Sequence, residues 1–184
     1  MNIYRKNNKL LLLSFLLIIV SVWNSYHSGF NWIKGSLSDF GLINDFFNLS
    51  LIISGLALGI FTLTAIKRED IGWLCRLFLL FSSALLTLIG IFTKQYFVHF
   101  IFAVLLFAIF PLGMFILSNH LKNSNYRLGT LTKIVALFLI FLWLAFFFIW
   151  FFIFKFGLAI PEIITLVTWI IWTIIFIKDY KPSN

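Results

Sequence analysis

Polar residues are scarce along this chain and gather at intervals. Between them lie six apolar stretches, each roughly twenty residues long, at about 10–26, 46–66, 73–93, 97–118, 131–154 and 158–177. An apolar run of that length is read as a membrane-spanning helix, because lipid offers no partner to an unpaired backbone N–H or C=O. The expected fold is all-α: a polytopic six-transmembrane-helix bundle in which residues 1–184 form one integral membrane domain. Arg5, Lys6 and Lys9 precede the first run as they would in a signal peptide, but Val20-Ser21-Val22-Trp23 offers no small-x-small cleavage site. The first run is therefore expected to remain as a span.

Composition supports this reading. The chain is 62% hydrophobic and 11% charged, with a net charge of +8. A soluble domain of this size could not bury so much apolar surface. The positive charge does not point to nucleic acid, since the cations lie in short loops with no basic helix face to track phosphates. The amino tail, the loops after the second and fourth spans, and the carboxyl tail hold Arg5, Lys6, Lys9, Lys67, Arg68, Lys122, Arg127, Lys133, Lys178 and Lys181. The opposite side holds Lys34, Lys94 and Lys155. The positive-inside rule then places both termini in the cytoplasm of a cell-membrane protein. Arg76, about one turn inside the third span, is expected to snorkel, with Glu69 or Asp70 as partner. The single cysteine, Cys75, excludes an intramolecular disulfide and reads as packing.

Most polar residues within the spans read as helix contacts. Ser50, Ser54, Gly55 and Gly59 form a small-residue stripe in the second span, and Ser82, Ser83, Thr87 and Gly90 do so in the third. Pro111 and Gly113 are expected to kink the fourth. Phe146, Phe147, Phe148, Phe151 and Phe152 look lipid-facing. Asn44 or Asp45 looks like the cap of the second span. Asn48-Leu49-Ser50 fits a glycosylation sequon but lies too close to lipid to be modified.

The long outer loop, 24–45, holds Phe30 and Trp32 as interfacial anchors and suggests a lid or binding element. His27, Asp39, Asn48, Lys94, His99 and Glu162 all fall near the outer face, and ionisable groups at that depth are costly enough to be functional candidates. Asp39, His99 and Glu162 are expected to converge beneath the loop, a carboxylate pairing with His99. Against this stands a plainer reading: Pro161-Glu162 is a natural helix start. No metal site is assigned, since no spacing like HExxH occurs, and the sequence leaves any cofactor open.

Ser36-Leu37-Ser38-Asp39-Phe40-Gly41, then Phe47-Asn48 and Gly55, His99 with Ala103, and Gly157, Glu162 and Trp169 together resemble the signature of domain-of-unknown-function family 998. These are six-helix membrane proteins common in archaea and bacteria. They are distantly similar to the damage-regulated autophagy modulator and FGF-receptor-activating protein family, which implies a role in membrane homeostasis without a settled reaction. The reading reached is an outward-facing polar pocket that binds a lipid headgroup or a small polar ligand, with membrane lipids as partners. Two alternatives stand beside it: an outer-leaflet metal-assisted hydrolase or lipid-modifying enzyme, and an accessory subunit bound to other membrane proteins. A transporter is less favoured, since midplane ionisable residues are scarce.

Overall fold

The computed structural model describes residues 2–26, 34–64, 68–152 and 157–180, with side chains described over 8–24, 34–64, 72–152 and 157–180. Every regular element among them is helical. Six helices are long: α1 (Asn2–Tyr26), α3 (Asp45–Thr64), α4 (Arg68–Ile91), α5 (Phe97–Ser124), α6 (Tyr126–Phe152) and α7 (Ala159–Asp179). Between α1 and α3 lie a 3-10 turn, Leu37–Asp39, and the single-turn α2 (Phe40–Ile43). The spans of α3, α4 from Gly72 onward, α5, α6 and α7 are long and apolar enough to cross a membrane, and the apolar part of α1, Asn8–Asn24, is shorter.

Helix ends explain the departures from the expected boundaries. Asn44 caps α3, its Oδ1 accepting from the Phe46 amide at 2.9 Å, so the helix begins at Asp45. Asn125 interrupts α5 and α6 for a single residue. Its Oδ1 accepts from the Leu128 amide at 3.0 Å, which starts α6 five residues before the expected 131. Helix α5 continues unbroken through Pro111 to Ser124. In α4 the helix breaks at Gly72, whose φ of 70° only glycine adopts easily. Arg76 donates to the Leu63 carbonyl at 2.6 Å, closing the C-terminus of α3. The side chains of Glu69 and Asp70, its expected partners, lie outside those described.

Successive long helices are neighbours, and α7 closes the ring by touching α1. Short connections between neighbours make them antiparallel. The start of α3, α5 and α7 and the end of α4 and α6 therefore share one end of the bundle. Close approach is built from small residues. A Cβ on Gly55 would run into Thr87 Oγ1 and the α4 backbone, so α3 and α4 touch main chain to main chain there. Polar groups fasten other seams. Ser54 Oγ donates to the Ser14 carbonyl at 3.0 Å between α3 and α1. Between α6 and α7, Trp143 donates to Thr165 and Trp172 to Thr132, both at 3.0 Å. The outward face of α6 carries exposed Phe141, Phe148, Phe151 and Phe152, as a lipid-facing helix should.

Candidate functional site

Three consecutive residues of the 3-10 turn are each held by a different part of the chain. The Leu37 amide donates to Glu162 Oε2, on α7, at 2.5 Å. The Ser38 hydroxyl meets His99 Nε2, on α5, at 2.8 Å. Asp39 Oδ1 forms an ion pair with Lys94, from the connection between α4 and α5. The other oxygen of Asp39 folds back onto the Ser36 amide at 2.8 Å, which closes the turn locally. The Gly35 carbonyl accepts from the Ala159 amide at 3.0 Å, and a Cβ on Gly157 would collide with Gly35. The turn is thus latched to the start of α7 by backbone as well as side chain.

His99 has a defined tautomer. Its Nδ1 lies 2.6 Å from the Phe92 carbonyl and 3.2 Å from that of Ile89. Carbonyls only accept, so Nδ1 carries the hydrogen. In the neutral ring Nε2 is then the acceptor, and Ser38 donates to it. Among the described residues, the expected pairing of a carboxylate with His99 does not occur. The turn directs Asp39 toward Ser36 and Lys94 and presents Ser38 to the imidazole instead.

Asp39, Lys94, His99 and Glu162 are therefore brought together around one turn. Asn48 is engaged separately: buried, it donates to the Gly41 carbonyl at 2.8 Å and ties α2 to α3. His27 lies outside the described residues, as do Phe30 and Trp32. Pro161 is the third residue of α7, not the first, and the helix begins at Ala159. Among the described residues no three His, Cys, Asp or Glu side chains group so as to hold a metal.

Beneath the turn is a cavity of about 70 Å³. Its walls are apolar, among them Phe15, Leu51, Leu86 and Leu106 from four different helices. Ser38 lines it from the turn, and Glu162, Thr165, Leu166 and Trp169 line it from one face of α7. Thr165 is satisfied, donating to the Pro161 carbonyl at 2.8 Å while it accepts from Trp143. Glu162 Oε2 is occupied by Leu37. The Trp169 indole N–H is buried and meets no acceptor among the described residues. Ser38 and Trp169 are the residues that reasoning over charge and membrane depth passed over. Both are neutral, and neutral polar groups are common in spans; the signal that reaches Trp169 is an indole donor buried without a partner.

A second space adjoins the first. The groove between α1 and α7 is lined only by apolar residues, including Ile19, Trp23 and Ile170, and Leu166 belongs to both its wall and that of the cavity.

No curated protein and no solved structure matches the chain. A family model described as "Protein of unknown function (DUF998)" matches residues 11–177, nearly the whole sequence. The chain is a multi-pass membrane protein and belongs to that family.

Proposed function

We propose that this protein spans the cell membrane six times with both ends in the cytoplasm and binds a slender amphipathic molecule in the cavity under the 3-10 turn. The observation that carries the reading is the pair of hydrogen-bonding groups on one face of α7. Glu162 has a carboxylate oxygen beyond the one held by Leu37, and Trp169, two turns further along, has an N–H without a partner among the described residues. Two turns of helix separate them by about 10 Å. A molecule with a donor at one end, an acceptor at the other and hydrocarbon between would satisfy both groups and fill the apolar walls.

Size refines the ligand class. A cavity of about 70 Å³ is roughly half that of an engineered cavity that admits benzene. It suits a narrow chain, and a whole phospholipid headgroup is too large for it. Leu166, shared with the apolar groove between α1 and α7, makes lipid the nearest source of such a chain. The charge pattern supports the orientation, which puts the turn on the outer side.

The test is native mass spectrometry of the full chain in mild detergent, followed by organic extraction. Wild type should retain one small amphiphile per protein. Ala103→Phe, which fills the cavity, should lose it. A wild-type protein that is empty in every mild detergent would contradict the reading.

A further inference from the structure

The contact between Ser38 and His99 has a chemistry that the other fastenings of the turn lack. A hydroxyl 2.8 Å from an imidazole nitrogen is the separation at which a base can take its proton. The far side of the ring is fixed by the Phe92 and Ile89 carbonyls, which hold the hydrogen on Nδ1 and leave the Nε2 lone pair for Ser38. A main-chain carbonyl here orients the ring as a carboxylate does in Ser-His-Asp triads. His99 is buried, and Ser38 lines the apolar cavity. A base, a group that orients it and a hydroxyl facing a space for an acyl chain are the parts of a serine acyl-transfer site.

We infer that Ser38 is a nucleophile and His99 its general base, acting on the acyl ester of a lipid-like molecule held in the cavity. The inference rests on the binding reading above and adds a reaction to it. Ser38 Oγ attacks the ester carbonyl carbon, and its proton passes to His99 Nε2. The tetrahedral adduct collapses, the C–O bond to the alcohol breaks, and the departing alkoxide takes the proton back from His99. Water, deprotonated by the same nitrogen, then attacks the acyl-serine. The second adduct collapses, the bond from the acyl carbon to Ser38 Oγ breaks, Oγ takes the proton back from His99 Nε2, and the carboxylic acid leaves with Ser38 restored. The Trp169 N–H, two turns along α7 and without a partner among the described residues, is a donor for a polar group at the far end of the bound chain, away from the ester.

The test treats full-length protein in membranes with a fluorophosphonate and locates the adduct by peptide mass spectrometry. The adduct is expected on Ser38, with Ser36 unmodified. His99→Gln should slow its formation by about a hundredfold or more. Hydrolysis of an aliphatic ester, vinyl octanoate, should fall in parallel, and Ala103→Phe, which fills the cavity one turn along α5 from His99, should also abolish it. The inference is overturned if wild-type Ser38 stays unmodified while an ordinary serine esterase in the same sample is fully modified. Equal rates for wild type and a folded His99→Gln would overturn it too. Should His99→Gln fail to fold, unchanged ester hydrolysis in Ala103→Phe has the same force. A protein that retains an amphiphile but has an inert Ser38 defeats the reaction and leaves the binding reading standing; an empty and inert protein defeats both.

Discussion

The Leu37 amide and the Glu162 carboxylate are separated by 125 residues, yet they form a hydrogen bond of 2.5 Å between the 3-10 turn and α7. A buried amide has no other partner to turn to, so this contact tests whether Glu162 holds the turn in place. Glu162→Ala leaves the Leu37 N–H unpaired and should lower stability by about 1–3 kcal/mol. Glu162→Gln keeps an acceptor oxygen and should cost less than half as much. Thermal unfolding in detergent compares the two; equal losses would mean that the carboxylate does not hold the turn.

The α3–α4 seam makes a graded prediction. A Cβ at Gly55 meets Thr87 Oγ1 and backbone, which cannot move aside, whereas at Gly59 its nearest neighbour is Ser83 Oγ at 3.1 Å, the tip of a side chain that can rotate. Gly55→Ala should therefore destabilise by about 1–3 kcal/mol and Gly59→Ala by clearly less. The reverse order in melting temperature would show that the two helices do not approach as described.

Between α6 and α7, Thr132 accepts from Trp172 while donating to the Leu128 carbonyl at 2.8 Å. Thr132→Val keeps the shape and removes the acceptor. The expected loss is about 1 kcal/mol, typical of a hydrogen bond between membrane helices. Trp172→Phe in the Thr132→Val background should add little beyond the lost ring area, because the donor it removes already lacks a partner. Strict additivity of the two changes would argue that this bond contributes nothing.

Orientation is tested with single cysteines in a Cys75→Ser background. Positions 34 and 155 should react with an impermeant maleimide in intact cells, and positions 67 and 127 only after permeabilisation. Labelling of 34 and 67 from the same side would remove one of the six crossings.

Much of this arrangement is legible in the sequence because the membrane limits the alternatives. An apolar run must be a helix, so the spans can be read, while their ends depend on single capping residues such as Asn44 and Asn125 that look like any loop asparagine. Asp39, Lys94, His99 and Glu162 stand out because a charge at membrane depth is costly. Their pairing does not follow from that cost. It depends on a three-residue 3-10 turn that points Ser38 at His99 and Asp39 at Lys94, and no periodicity foretells a turn that short. Trp169, which the family resemblance names, escapes the charge argument for a different reason. An aromatic residue on an apolar helix reads as packing until its N–H is seen to lack an acceptor.

The central claim is that the cavity between Glu162 and Trp169 holds a chain-like amphiphile. High-resolution density for the protein in lipid nanodiscs tests it most directly. The account predicts one continuous, elongated feature in contact with the Glu162 carboxylate at one end and the Trp169 N–H at the other. Isolated water peaks, or side chains collapsed into the space with no density between these two residues, would contradict it.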